Sequence, residues 1–234
     1  MSAKQLSFEL PVRAALGRED FFVSPANAMA VVLIEGWRDW SGRKLALIGP
    51  AGSGKTHLVH VWAAACGAQI LPAAALEQAD IPTLAKGPVA VEDVHSIAGN
   101  RAAEEALFHL HNLTLAEGHY LLVTANQPPH LWGLGLPDLA SRMQGTQAVT
   151  LDQPDDQLLS AVVAKLFADR QMLPAPETLS YLITRMDRSF ASARQLVAQI
   201  DREALAQKRP ITRNLVARVL GQSELPDLLD NPGQ

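Results

Sequence analysis

Leu45-Ala46-Leu47-Ile48-Gly49-Pro50-Ala51-Gly52-Ser53-Gly54-Lys55-Thr56 decides the fold. A short apolar run ends at a glycine, a G-x-x-x-x-G-K-[ST] pattern follows, and a helical stretch over 56–65 comes next. Strand, glycine-rich turn and helix are the context in which this pattern cradles phosphate. Gly52 and Gly54 let the loop curl so that backbone N–H groups face inward. The helix starting near Lys55 adds its positive dipole end. Lys55 would neutralise β/γ-phosphate charge and the Thr56 hydroxyl would ligate Mg²⁺. The reading is a purine-nucleotide site built from Gly49, Pro50, Gly52, Ser53, Gly54, Lys55 and Thr56.

Working outward, further apolar runs at 69–71, 89–91, 120–123 and 148–151 alternate with helical stretches such as 102–116. Continuous apolar runs are buried parallel strands, and the alternation predicts an α/β parallel sheet flanked by helices. Before the first strand, residues 27–39 place Met29, Val32, Leu33 and Trp37 at helical spacing, which predicts a helix. After residue 152 only helical patterns occur, over 155–170, 176–185, 189–207 and 212–220. The expected plan is an extended arm over 1–20, the α/β domain over 21–152, a small all-helical lid domain over 153–221 and a frayed tail over 222–234.

A P-loop holds only half of a metal site. The run Val89-Ala90-Val91-Glu92-Asp93 offers the acidic partner at the end of a neighbouring strand. Glu92 would hold the magnesium with Thr56, and Asp93 would orient water. Aspartate before glutamate is the commoner order in active ATPases. Here the metal acid is longer and the water acid shorter, and a misplacement of roughly 1 Å costs on the order of 100-fold in rate. Slow hydrolysis by the isolated chain is the expectation.

The 234 residues are 48% apolar and 19% charged, enough for one core and a small satellite. A formal charge of -4 argues against a general nucleic-acid surface. Cys66 has no internal disulfide partner and reads as a small buried residue. No apolar run reaches the roughly 18 residues of a membrane span, and no signal-peptide core follows Met1, so a cytoplasmic setting without membrane contact is expected. His57 and His60, like His109 and His111, lack a third ligand and read as helix-packing residues rather than metal ligands.

Three segments then carry a resemblance. Gly54-Lys55-Thr56-His57-Leu58-Val59-His60 resembles the P-loop helix of the bacterial initiator DnaA. So does Leu107-Phe108-His109-Leu110-His111-Asn112, followed by Tyr120-Leu121-Leu122-Val123-Thr124-Ala125-Asn126. The likeness runs over 21–220 through both AAA+ subdomains and stops where DnaA continues into its helix-turn-helix domain. A DnaA-like chain without a dedicated DNA-binding domain resembles the Hda-type regulators that act with the sliding clamp to inactivate DnaA. The resemblance implies an AAA+ fold holding ADP or ATP, with Phe22, Val23 and Asn27 near adenine and His57 beside the P-loop. Asn126, or Thr124, matches the polar sensor at the strand end. Arg142 in Asp138-Leu139-Ala140-Ser141-Arg142 matches the arginine finger, and Arg194 matches the lid arginine above the phosphates. Arg142 follows Leu139 outside any helical apolar stripe, near the sheet edge, so exposure is expected. Met143 stands where the family more often has phenylalanine.

At the start, Gln5-Leu6-Ser7-Phe8-Glu9-Leu10 resembles the short peptide that docks on the clamp, the β subunit of DNA polymerase III. Leu6, Phe8 and Leu10 would enter an apolar groove while Gln5 hydrogen-bonds at its end. The implied function is negative regulation of DNA replication initiation through stimulated ATP hydrolysis on DnaA. A homodimer is left open. The rival is a self-sufficient DnaA-like ATPase or helicase loader.

Overall fold

The computed structural model describes residues 22–207 and 210–221. Among these, five strands form one parallel sheet: β1 (Lys44–Ile48), β2 (Gln69–Pro72), β3 (Val89–Glu92), β4 (Leu121–Ala125) and β5 (Ala148–Thr150). Their spatial order is β2-β3-β4-β1-β5, so β1 sits between β4 and β5. Ile48 is level with Ala125 and Val91 with Val123, which brings the ends of β1, β3 and β4 to one carboxyl edge.

Successive side chains of a strand point to opposite faces, and both faces of β1 are covered. Leu45 and Leu47 pack with Leu58, Trp62 and Leu122, while Ala46 and Ile48 pack with Val89, Leu107, Leu110 and Val123. The first layer carries α1 (Ala28–Glu35) and α2 (Lys55–Cys66). The second carries α3 (Ile81–Leu84), α4 (Arg101–Ala116) and α5 (Pro137–Gln144). Trp40 stacks on Trp62 with centroids 5.3 Å apart and donates its indole N–H to the Leu33 carbonyl, closing the layer below α1.

Among the described residues four helices follow the sheet: α6 (Asp156–Ala168), α7 (Pro176–Ile183), α8 (Phe190–Gln207) and α9 (Arg213–Val219). Asp155 and Thr212 cap α6 and α9 through their side chains, and Pro176 opens α7 at the position where its missing N–H costs nothing. Leu159, Phe167, Leu182, Val197, Ile200 and Val216 make a core of their own.

The structure differs from the sequence expectations in the first helix, at Arg142 and at Cys66 among other places. The helix read over 27–39 ends at Glu35, and a separate 3-10 turn covers Trp37–Asp39. Its buried residues are Ala30, Val31 and Ile34, while Met29 and Val32 are exposed. Residues 28–34 are apolar on every side, so spacing alone could not choose a face. Arg142 lies inside α5, whose Leu139 and Met143 are buried one turn apart, although it is exposed as expected. Cys66 is half-buried at the end of α2 rather than enclosed. The clamp-type residues Gln5, Leu6, Phe8 and Leu10 and the tail over 222–234 lie outside the described residues.

Candidate functional site

The loop from Gly49 to Gly54 joins β1 to α2. Gly49 donates its N–H to the Ala125 carbonyl at 3.1 Å, which fixes the start of the loop against β4. Gly52 has φ +76°, and a side chain there would place Cβ 2.4 Å from the Cβ of Ser189. That contact joins the loop to the helical bundle. The Phe190 N–H donates to the Gly52 carbonyl at 3.1 Å, and the Ser189 hydroxyl accepts from the Ser192 N–H at the start of α8. A Gly52→Ala variant must move Ser189 as well as strain its own backbone. A loss of about 1–3 kcal/mol is expected in thermal unfolding; an unchanged Tm would show that the two segments are not in contact.

Lys55 is buried, and its Nζ donates to the Gly49 carbonyl at 2.6 Å and the Pro50 carbonyl at 3.0 Å. Burial lowers its pKa, while the charges of Asp93 and Glu92 act in the opposite direction. The ammonium thus sits inside the loop, where it feels the charges of the acidic pair. Ser53 is also buried, and its hydroxyl has no hydrogen-bond partner. A buried polar atom without a partner is costly. Here it points to a polar ligand, and with the inward lysine it fits phosphate. Thr56 is exposed on the first turn of α2 and His57 is half-buried beside it.

Glu92 ends β3, half-buried, and Asp93 is exposed just beyond it. Asp93 has φ +57° and ψ +46°, a left-handed backbone, and its N–H donates to the Thr124 hydroxyl at 3.0 Å. Thr124 is buried within β4 and engaged in this bond, whereas Asn126 is exposed directly past the strand end. Of the two sensor candidates, Asn126 has the more accessible side chain. Thr124 instead holds the turn that carries Asp93.

Phe22 and Val23 are exposed at the described beginning of the chain. Asn27, expected near adenine, is buried and serves as a clasp. Its Oδ1 accepts from the Ser24 N–H, and its Nδ2 donates to the Phe22 carbonyl. Both ends of the amide are used within the segment, so its role is to shape Phe22 and Val23. The Asp152 N–H donates to the Ala26 carbonyl, tying that segment to the end of β5. Arg194 is exposed on α8, one turn beyond Phe190 and its bond to the loop, or about 6 Å along the axis.

Arg142 stands elsewhere. Its carbonyl accepts from Lys44 Nζ at 2.9 Å and from the Thr146 hydroxyl at 2.9 Å, and Lys44 begins β1. The P-loop follows the other end of β1, about 13 Å away by strand rise. The guanidinium carbon lies 5.2 Å from the centre of the Phe108 ring. Lys44 Nζ also donates to His111 Nε2 at 3.3 Å, and His111 Nδ1 lies 3.2 Å from Asn112 Oδ1. These partners assign the neutral Nδ1–H tautomer. Burial chiefly, then the charges of Lys44 and Arg142, push the His111 pKa down to about 4 against the opposing Asn112 bond. Met143 is fully buried behind this group.

Sequence reading missed Glu104. It is buried on α4, where Oε1 accepts from Gly99 and Gly135 and Oε2 accepts from Leu136 at 2.7 Å. Leu136 is the residue before α5, so this carboxylate caps a helix that has no cap of its own. The signal was present as an acid inside the apolar stripe of Ala103, Leu107 and Leu110. Among the described residues no cluster of three His, Cys, Asp or Glu could hold a metal, and no helix is long and apolar enough to cross a membrane.

No family model matches the sequence. Solved structures do match. Domain III of the replication initiation protein DnaA of Thermotoga maritima superposes with a TM-score of 0.76 at 16% identity, covering 91% of this chain and 98% of that one. AMPPCP-bound DnaA of Aquifex aeolicus gives a TM-score of 0.67 at 18% identity over 81% of this chain and 67% of that one. A RuvB of Thermotoga maritima gives 0.66 at 18% identity over 84% and 67%. Likeness at such identities rests on architecture, and it agrees with the β2-β3-β4-β1-β5 sheet and the helical bundle after it. The chain therefore has a DnaA-like AAA+ fold.

Proposed function

We propose that the chain is a DnaA-related regulator that holds an adenine nucleotide as a shape switch and stimulates ATP hydrolysis on a neighbouring DnaA through Arg142. The observation that carries this reading is the separation of two chemistries. Lys55, Ser53, Glu92 and Asp93 stand at the carboxyl edge of the sheet, while Arg142 is exposed at the amino edge, bonded through its carbonyl to Lys44. An arginine so placed serves a nucleotide held by another subunit.

At its own site the P-loop N–H groups and Lys55 bind phosphate, and Thr56 with Glu92 would hold Mg²⁺, which neutralises phosphate charge. Phe22 and Val23 flank the base, and Arg194 approaches from α8. AMPPCP in the Aquifex DnaA structure supports an adenine nucleotide as the ligand class. The direct bond between Phe190 and Gly52 gives the loop a path to set the angle of the helical bundle. Lys55→Ala is expected to weaken ADP binding by about 10- to 100-fold, the cost of removing a charge-assisted bond. Isothermal titration measures it, and affinity within twofold of the wild type would remove the phosphate role.

Docking of Gln5, Leu6, Phe8 and Leu10 on the DNA polymerase III sliding clamp would hold the regulator near DnaA on DNA and raise its effective concentration. The outcome is DnaA-ADP and restrained replication initiation. The test is hydrolysis of labelled ATP on DnaA with clamp loaded on DNA, comparing wild type, Arg142→Ala and Gln5→Ala. Loss of stimulation in both variants supports the reading, and unchanged hydrolysis in both removes it. The rival, a self-sufficient ATPase or helicase loader, draws on the Glu92 and Asp93 charges felt at Lys55. It requires that Glu92→Gln abolish function while Arg142→Ala leaves the chain active by itself.

A further inference from the structure

Glu104, Phe108 and His111 sit at i, i+4 and i+7 on α4 and therefore share one helix face. Each is linked to α5 by a different chemistry. Glu104 accepts the Leu136 N–H at the start of α5. The Phe108 ring lies under the Arg142 guanidinium in its last turn. His111 accepts from Lys44 Nζ, whose second bond goes to the Arg142 carbonyl. Both ends of α5, and the side chain of its arginine, are thus referenced to one rigid helix whose Leu107 and Leu110 are fixed in the core.

We propose that Phe108 is a positioning residue that holds the Arg142 guanidinium extended for a neighbouring subunit. This rests on the reading of Arg142 above. An exposed arginine has many rotamers, and ordering one costs entropy at the moment of use. The ring quadrupole attracts a cation over its face and removes part of that freedom beforehand. Phe108 is half-buried against the core and so cannot follow the arginine outward. Its neighbour His109, 6.0 Å from the ring, is exposed. Lys44 fixes the backbone from which the guanidinium springs, and Phe108 fixes where it ends.

The test compares Phe108→Leu, Phe108→Tyr and Arg142→Ala in the same assay of DnaA-bound ATP hydrolysis, with the full chain and clamp on DNA. Leucine keeps an apolar side chain and removes the ring face, while tyrosine restores it. Phe108→Leu is expected to lower the saturated stimulated rate by about 2- to 5-fold, with half-saturation unchanged and only the modest fall in Tm that trimming a half-buried ring brings, and Phe108→Tyr to regain the rate. The Arg142 Nε–H proton should also lose its ring-current shift in the leucine variant alone. A leucine variant equal to wild type beside an inactive Arg142→Ala overturns the positioning role and leaves the function standing. A fall in partner binding, or a Phe108→Tyr variant as slow as Phe108→Leu, would reveal plain packing and equally overturn it. An active Arg142→Ala would remove the function and this inference together.

Discussion

Under the proposed function, Arg142→Ala is expected to reduce the stimulated hydrolysis of ATP on a neighbouring DnaA by about 10³-fold or more, the effect of losing an arginine that meets transition-state charge. The substitution is also expected to be clean. The guanidinium is exposed and leans on Phe108, while the bonds that fix this turn of α5 reach the Arg142 carbonyl from Lys44 and Thr146 and survive truncation. Stability should stay within about 0.5 kcal/mol of wild type, and ADP affinity should not change, because the P-loop lies at the other end of β1. Arg142→Lys should rescue little, since an ammonium lacks the planar fork. Single-turnover hydrolysis at saturating regulator measures the effect. A rate within threefold of wild type would rule out the arginine as the activating group.

The second large effect is on stability. Glu104→Ala leaves three backbone N–H groups, those of Gly99, Gly135 and Leu136, without their buried acceptor. At about 1–2 kcal/mol each, the loss is roughly 3–6 kcal/mol. Glu104→Gln should recover part of it, because one amide oxygen still accepts while the NH₂ faces donors. Burial acts to raise the Glu104 pKa, but the Gly135, Gly99 and Leu136 bonds outweigh it and hold the carboxyl below its ordinary 4.5. A folded pKa below the unfolded one means that the stabilisation is complete above that value and fades as pH falls through the folded pKa. The gap between urea melts of wild type and Glu104→Ala should therefore narrow as pH falls from about 7 to about 3. A constant gap across that range would show that the carboxylate charge is not what matters.

The sheet was legible because its strands are buried on both faces and so read as continuous apolar runs. The expected run at 89–91 and the observed Val89–Glu92 differ by one residue. The four C-terminal helices were legible from their periodicity and flanking prolines. α5 was not, since its eight residues contain one buried pair, Leu139 and Met143, and follow a proline-glycine-rich stretch. The face of α1 was unreadable because a helix apolar all round offers no contrast. At the site, the P-loop and acidic pair announce themselves by residue type. Asn27 and Glu104 do not, because what they bind is backbone, and backbone partners leave no trace in side-chain patterns.

The left-handed turn at Asp93 gives a reason for the order of the acidic pair. The residue leaving β3 must adopt φ +57°, and Asp enters that region more readily than longer side chains do, since its short carboxylate bonds locally. Glu92, still in the strand, meets no such demand. Exchanging the two would place glutamate where backbone handedness disfavours it, at roughly 1 kcal/mol, and would loosen the Asp93 N–H bond to Thr124. In this chain the carboxylate sequence is a matter of chain chirality as much as of catalysis, and restoring the commoner order would act first on the turn.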